Sequence, residues 1–167
     1  DKTVVNKLIK DDRIKAVSFV GSTPVAKNIY EKAATSGKRC QALGGAKNHA
    51  LILPDADIDY TTDQLISAAY GSSGQRCMAL SVAVVFSDIK DEFIQDLERK
   101  VQKLKFGLDD LHSNSFGPLV SKEHLESVKN YIEMSEGEGA RVLIDGRDFL
   151  KRKNSNNGYF LGPTIID

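Results

Sequence analysis

The chain has 167 residues, and 23 basic residues balance 23 acidic ones, so its formal net charge is zero. A general nucleic-acid-binding protein usually carries a basic excess, and a membrane helix needs about 18 consecutive apolar residues. The sequence has neither feature, so we expect neither nucleic acid nor a membrane as a partner. Two cysteines exclude a disulfide framework, and no spacing of His, Cys or carboxylate residues predicts a metal site.

The first elements predicted along the chain are a strand and a helix joined by a short turn. Residues 14–20 are apolar and rich in β-branched side chains, which is typical of a strand. Thr23 suits the N-cap of the following helix, Pro24 its first position and Gly37 its end. The N–H groups of such a helix N-terminus, at residues 21–23, can hold a phosphate. Because the full GxGxxG pattern is absent, these residues alone favour an ordinary capped turn.

Strands and helices continue to alternate through the rest of the chain. A helix capped by Asp57 or Asp59 is predicted from the helical spacing of Leu65, Ala68 and Ala69. The alternation is typical of a three-layer α/β protein, in which helices flank both faces of a mostly parallel sheet. Further strands are predicted at residues 50–53, 82–86, 141–144 and 164–166, further helices at 89–104 and 121–135, and a polar, flexible segment at 151–158.

The two ends of the sequence suggest that it belongs to a longer protein. The chain starts at Asp1 without Met, and it stops directly after the predicted strand at 164–166. We therefore expect a piece of a larger polypeptide. Residues up to about 40 are expected to come from a domain next to the one formed by the remainder.

Cys77 is the first candidate for a chemical role. It follows Gly74-Gln75-Arg76, where glycine permits an unusual backbone angle and the neighbouring arginine favours a thiolate. A thiolate on a glycine-containing loop after a helix can act as a nucleophile, yet free cysteines are most often buried and inert. The local sequence leaves both interpretations open and favours the inert one. Cys40, in a predicted strand, is interpreted as structural.

A second candidate is the segment Gly44-Gly45-Ala46-Lys47-Asn48-His49. Paired glycines let a ligand approach the backbone, and Lys47 and His49 could supply a charge and a base. An ordinary turn with a solvated lysine explains the same residues and is locally favoured. His112 and His124 lie in polar surroundings and show no spacing typical of metal ligands.

Several short motifs occur along the chain in a specific order. They are Phe19-Val20-Gly21-Ser22-Thr23, Gly44-Gly45-Ala46-Lys47-Asn48, Asp55-Ala56-Asp57, Gly74-Gln75-Arg76-Cys77, Phe116-Gly117-Pro118-Leu119 and Gly158-Tyr159-Phe160 with Gly162-Pro163-Thr164. Taken together, this set resembles the aldehyde dehydrogenase superfamily, and within it the CoA-acylating semialdehyde dehydrogenases. The resemblance implies the catalytic domain of that family at residues 43–167, truncated, and the C-terminal part of its NAD-binding domain at 1–42.

The resemblance implies that Cys77 is the catalytic nucleophile. Its thiolate would attack an aldehyde, NAD would accept the hydride, and a thioester would remain on the cysteine. The backbone N–H of Cys77 would help to form the oxyanion site. Arg76 would bind the carboxylate of a small semialdehyde, methylmalonate or malonate semialdehyde, because a guanidinium fork matches a carboxylate.

The resemblance also implies where NAD would bind. Phe19, Gly21 and Ser22 would lie along the strand-to-helix turn that holds the cofactor, with Val25 packing nearby. The residues of the isolated chain do not complete the family's site, so we expect the isolated chain to be inactive or nearly so.

One departure from the family pattern predicts the acyl acceptor. Hydrolytic members carry a glutamate shortly before the lysine of this segment, and alignment on Lys47-Asn48 places Leu43 there. Leucine cannot activate water, and its neighbours Ala42 and Gly44 lack an acid as well. The resemblance therefore implies transfer to coenzyme A. The alternatives are a non-acylating aldehyde dehydrogenase that activates water by another group, and a non-catalytic relative with the same fold.

The quaternary structure and cellular location are expectations of the family alone. It implies a homotetramer or homodimer for the whole protein. It implies the mitochondrial matrix in a eukaryote and the cytoplasm in a bacterium.

Overall fold

The computed structural model describes residues 2–105, 117–148 and 158–167. The chain divides into two compact units, Asp1–Ala46 and Lys47–Asp167. The helices are α1 (Lys2–Lys10), α2 (Thr23–Thr35), α3 (Ile58–Tyr70), α4 (Ser87–Val101) and α5 (Lys122–Gly137). The strands are β1 (Ala16–Val20), β2 (Arg39–Leu43), β3 (Asn48–Ile52), β4 (Leu80–Val85), β5 (Val142–Ile144) and β6 (Ile165–Ile166).

The first unit contains a parallel β-α-β arrangement. Strands β1 and β2 pair in parallel from Ala16↔Arg39 to Val20↔Leu43, and α2 connects them. Helix α2 buries apolar residues at helical spacing, and Ile29 and Ala33 form a core cluster with Ile9 of α1. Cys40 is half-buried and packs against this cluster, together with Val17 and Phe19, as the structural interpretation of that cysteine requires.

Helix α2 begins one residue earlier than the sequence predicts. Ser22 is the N-cap, with extended backbone angles, and Thr23 is the first helical residue. The prediction of Thr23 as the cap is therefore wrong. Its hydroxyl oxygen instead accepts a hydrogen bond of 3.0 Å from the N–H of Gly45, outside the helix. Gly37 follows the end of the helix with φ +65°, a backbone conformation that glycine adopts most readily.

The second unit is built on strands β3 and β4, which also pair in parallel. Helix α3 connects them by way of the loop that contains Cys77, and α4 follows β4. One buried core cluster of this unit consists of Ile52, Leu65, Phe93, Leu97 and Val101, from β3, α3 and α4. The spacing of Phe93, Leu97 and Val101 on one face of α4 confirms the predicted amphipathic helix.

A polar cluster around the buried Thr62 joins α3 to α4. Thr62 is fully buried, and its hydroxyl lies 2.5 Å from Asp96 Oδ2 and 3.0 Å from Lys100 Nζ. The Lys100 ammonium also lies 2.8 Å from carboxylate oxygens of both Asp59 and Asp63. The hydrogen bond from Thr62 and those from the basic side chains of α4 lower the pKa of Asp96 to about 2. Asp96 therefore stays ionised at lower pH than an ordinary aspartate does.

The C-terminal part of the second unit adds a helix and a short antiparallel pair. Ser121 caps α5, as predicted, and its hydroxyl accepts from the N–H of His124 at 3.2 Å. Strand β5 pairs antiparallel with β6, whereas β1–β2 and β3–β4 are parallel. The α/β fold with mostly parallel pairing is thus confirmed. His112, Phe116 and residues 151–157 of the predicted polar loop lie outside the described residues.

Within the described ranges, we find no helix with the length and apolar character needed to cross a membrane.

Candidate active site

The loop before Cys77 has an unusual backbone. After α3 ends at Tyr70, a short 3-10 turn at Gly71–Gly74 places Ser72 and Ser73 at φ +55° and Gly74 at φ +70°. The left-handed conformation costs a residue with a side chain roughly 1–2 kcal/mol. Such conformations persist where surrounding contacts hold them, and they concentrate at functional sites.

Side-chain hydrogen bonds to the segment at residues 117–120 hold this loop. The Ser73 hydroxyl donates to the carbonyl oxygen of Gly117 at 2.6 Å. The Gln75 side chain accepts from the N–H of Val120 at 3.0 Å and donates to the carbonyl oxygen of Pro118 at 3.4 Å. Ser73 and Gln75, which lie shortly before Arg76-Cys77, are therefore anchored to a distant part of the chain.

Cys77 is exposed to solvent at the end of this anchored loop. Its own carbonyl oxygen and that of Ala79 both accept hydrogen bonds of 3.0 Å from the side-chain amide of Asn48. The loop is thus held at both ends, by Gln75 before the cysteine and by Asn48 after it. An accessible thiol on a held backbone has the placement that a nucleophile needs.

Arg76 is exposed, and its side chain folds back over the end of α3. Its guanidinium lies against Gly71, and the side chain lines a cavity of about 580 Å³ together with Tyr70, Gln75 and His124. The rest of the cavity wall, among the described residues, carries no carboxylate. Sequence reasoning missed His124 because only the packing of α5 brings it to this cavity.

The strand-to-helix turn at residues 21–23 belongs to the first unit. The N–H of Gly21 donates to the carbonyl oxygen of Leu43 at 3.1 Å, so the turn lies at the end of the β1–β2 pair. Ser22 makes no side-chain capping hydrogen bond, which leaves the N–H groups of the first turn of α2 open to another acceptor. Phe19 is half-buried on β1, and Val25 is exposed on the first turn of α2.

Paired glycines pack closely against the same turn. A Cβ atom built on Gly44 would lie 2.7 Å from Oγ1 of Thr23 and 3.2 Å from its Cα, so a side chain there would collide. Gly45 donates its N–H to the same hydroxyl oxygen. These contacts bring the Gly-Gly segment to the helix N-terminus, a proximity that the sequence alone did not reveal.

Lys47 directly precedes β3, and His49 lies within that strand. Both side chains are exposed, and His49 Nδ1 lies 2.8 Å from the carbonyl oxygen of Lys47. Within residues 2–105, 117–148 and 158–167, no group of three or more His, Cys, Asp or Glu side chains could hold a metal ion.

Comparison with known proteins identifies the family. Residues 1–167, the whole chain, match the aldehyde dehydrogenase family. The chain belongs to the aldehyde dehydrogenase family. The resemblance found in the ordered motifs is thereby confirmed.

The similar proteins act on semialdehydes according to their names. Malonate-semialdehyde dehydrogenase 1 of Oceanobacillus iheyensis is 47% identical over 99% of this chain and 34% of its own length. The crystal structure of methylmalonate-semialdehyde dehydrogenase from Oceanimonas doudoroffii matches this chain with a TM-score of 0.94 and 53% sequence identity. The match covers 100% of this chain and 34% of that one. The chain thus spans about a third of the length of these relatives.

One similar structure contains a nicotinamide cofactor. The putative methylmalonate-semialdehyde dehydrogenase of Sinorhizobium meliloti, complexed with NAD, is 43% identical, with a TM-score of 0.94 over 100% of this chain and 34% of that one. These aldehyde dehydrogenase relatives come from bacteria, and they lend no support to the expectation of a mitochondrial protein.

Proposed function

We propose that this chain is part of an NAD-dependent, CoA-acylating semialdehyde dehydrogenase, with Cys77 as its nucleophile. The observation that carries the proposal is the solvent-exposed thiol of Cys77 on a loop whose left-handed backbone is held by Ser73 and Gln75. The identity to malonate- and methylmalonate-semialdehyde dehydrogenases supports a semialdehyde acid as the substrate. A piece about a third as long as those enzymes is not expected to be active alone.

The residues of the first unit fit an NAD phosphate. An N-cap without a side-chain hydrogen bond leaves N–H groups at the positive end of α2 for a negatively charged ligand. Gly21 and Ser22 form the turn, while Phe19 and Val25 flank it with apolar surface. When bound, NAD supplies the hydride acceptor of the reaction.

Cys77 would carry the covalent steps. Its thiolate attacks the aldehyde carbon to form a thiohemiacetal, and loss of hydride to NAD converts this into a thioester. The thiol of coenzyme A then attacks the thioester, forms acyl-CoA and releases the Cys77 thiolate. The proposed products are propionyl-CoA from methylmalonate semialdehyde and acetyl-CoA from malonate semialdehyde. Their acyl groups have one carbon fewer than the substrate, because the carboxylate leaves as CO₂ and a proton from water takes its place on the adjacent carbon.

Arg76 would explain the choice of substrate, and Leu43 would explain the choice of coenzyme A as the acceptor of the acyl group. The Arg76 guanidinium lines a cavity without a described carboxylate, which suits the carboxylate of the substrate. Leu43 is the last residue of β2, and it lacks the carboxylate with which hydrolytic relatives activate water. Without such a base, a thiol is the favoured acceptor of the acyl group.

The test follows NADH formation by the full-length polypeptide that contains this chain, with methylmalonate semialdehyde as substrate. We expect turnover to require both coenzyme A and Cys77, and we expect Cys77→Ala to abolish it. Cys40→Ala is the matched control and should retain activity, because Cys40 is half-buried against the core cluster of the first unit. NADH formation without coenzyme A would favour a non-acylating dehydrogenase. Failure to form NADH under either condition would favour a non-catalytic relative.

The 167-residue chain alone provides a second test. We expect it to form no measurable NADH from the same substrates. We also propose that the whole protein is a homotetramer or homodimer, which sedimentation measurements on the full-length polypeptide would test.

A further inference from the structure

The backbone conformation at Gly71 does not require a glycine. It follows α3 with φ −55° and ψ 133°, an extended conformation that any residue adopts. By contrast, Gly37, Gly74 and Gly139 have positive φ angles, where a side chain is strained. Another cause must explain the missing side chain at position 71.

The space next to Gly71 is taken up by the side chain of Arg76, which explains the missing side chain. A Cβ atom built on Gly71 would lie 2.7 Å from Cζ of Arg76 and 3.4 Å from its Nη1, and closer still to Nη2. Real Cβ atoms essentially never approach heavy atoms to less than 3.0 Å. The guanidinium of Arg76 therefore occupies the volume that a side chain at position 71 would fill.

The guanidinium placed there has no acidic partner in the described part of the chain. Arg99 and Arg147 are held by carboxylates, of Asp96 and of Asp145 respectively. Arg76 forms no ion pair within residues 2–105, 117–148 and 158–167, and the described lining of its cavity contains no carboxylate. A guanidinium in a cavity of this kind presents its N–H donors to an incoming anion.

We propose that Gly71 is a specificity-determining residue, because its missing side chain allows Arg76 to hold its guanidinium in the pose that receives the substrate carboxylate. This inference rests on the proposed function, in which Arg76 binds that carboxylate. Gly71 itself acts through Arg76 and touches no reacting atom. A side chain at position 71 moves the guanidinium, since the end of an arginine side chain shifts more easily than the backbone.

The experiment compares two substrates in the full-length polypeptide. Methylmalonate semialdehyde carries the carboxylate, and propanal is a neutral aldehyde that lacks it. We expect Gly71→Ala to lower kcat/KM for the semialdehyde by about 10–100-fold, the usual loss for a hydrogen bond between charged groups, mainly through KM. The value for propanal should stay within about twofold, because Cys77 keeps its loop.

Three further variants separate the possible causes. Arg76→Gln should lower the ratio of kcat/KM for the semialdehyde over propanal to a similar extent. Adding Gly71→Ala to Arg76→Gln should then change this ratio little, because the group displaced by the alanine is already missing. Gly137→Ala is the matched glycine control, since a Cβ atom there meets nothing within 4 Å. It should leave both substrates unaffected.

The outcomes distinguish this inference from the proposed function. If Arg76→Gln lowers the ratio and Gly71→Ala does not, or if Gly71→Ala slows both substrates equally, the role of Gly71 is overturned and that of Arg76 stands. If Arg76→Gln leaves the ratio unchanged, the carboxylate role of Arg76 falls, and the role of Gly71 falls with it. The dependence of turnover on Cys77 and coenzyme A is measured separately and is not affected by either result.

Discussion

Replacing Thr62 by valine removes one hydroxyl from a fully buried position and keeps nearly the same volume. The hydroxyl is held between the Asp96 carboxylate at 2.5 Å and the Lys100 ammonium at 3.0 Å. Since a hydroxyl has a single proton, we assign its donation to Asp96 and its acceptance to Lys100. The substitution therefore removes two charge-assisted hydrogen bonds from the contact between α3 and α4.

The expected loss of free energy of unfolding depends on the hydrogen bonds removed and on the interactions that remain. Hydrogen bonds to charged groups contribute about 1.5–3 kcal/mol, while one additional buried methyl group returns about 0.8 kcal/mol. Asp96 and Lys100 still contact each other at 3.2 Å, so neither charge is left alone. We therefore expect Thr62→Val to lower the free energy of unfolding by about 2–5 kcal/mol.

Equilibrium urea unfolding of the 167-residue chain, followed by circular dichroism, measures this difference. Thr61→Val is the matched control: it lies in the same helix, is half-buried, and its hydroxyl has no hydrogen-bond partner in the described part of the chain. The control should change the free energy of unfolding by less than about 0.5 kcal/mol. An equally small effect of Thr62→Val, or a stabilisation, would refute the assignment of these hydrogen bonds.

The same pair of chains should respond differently to acid. The pKa of Asp96 lies at about 2 in the folded chain, below the usual 3.8. A lowered carboxyl pKa stabilises the fold above the unfolded pKa, and this stabilisation disappears as pH falls from about 4 towards 2. The difference between wild type and Thr62→Val should therefore shrink over that range. A difference that stays constant down to pH 2 would contradict the role of the ionised carboxylate.

Other residues give predictions that standard measurements can check. Gly37→Ala should lower the free energy of unfolding by about 1 kcal/mol, because φ is positive at Gly37. Gly137→Ala, at the end of α5, should instead raise the free energy of unfolding by about 0.5 kcal/mol or more. Urea unfolding measures both changes, and a change of the same sign in the two variants would contradict this reasoning. Tyr70→Phe should cost about 1 kcal/mol in thermal unfolding, since the phenol donates to a backbone carbonyl at 2.9 Å and burial raises its pKa; an unchanged Tm would contradict this hydrogen bond. In the native chain, iodoacetamide should label exposed Cys77 before half-buried Cys40, as peptide mass spectrometry can show, and equal labelling would count against the difference in exposure.

Hydrophobic periodicity and helix-capping residues predicted most of the secondary structure. The strand at 82–86 and the helix at 89–104 are found as β4 and α4, displaced by at most three residues at either end. Apolar spacing and caps are local properties, so they can be recognised without the tertiary structure. Helix α1 was missed although Val4, Val5, Leu8 and Ile9 have helical spacing; in the structure only Ile9 of this helix is buried.

The sequence by itself determined the family and the candidates Cys77, Arg76 and the turn at 21–23, since these follow from residue order. It did not determine the left-handed backbone of Ser72 and Ser73, because serine alone does not favour that conformation and contacts with residues 117–120 stabilise it. The polar cluster around Thr62 and the cavity shared by Arg76 and His124 likewise join residues distant in the chain. Local sequence preferences do not predict contacts between residues that are distant in the chain, so only the tertiary structure decided these two features.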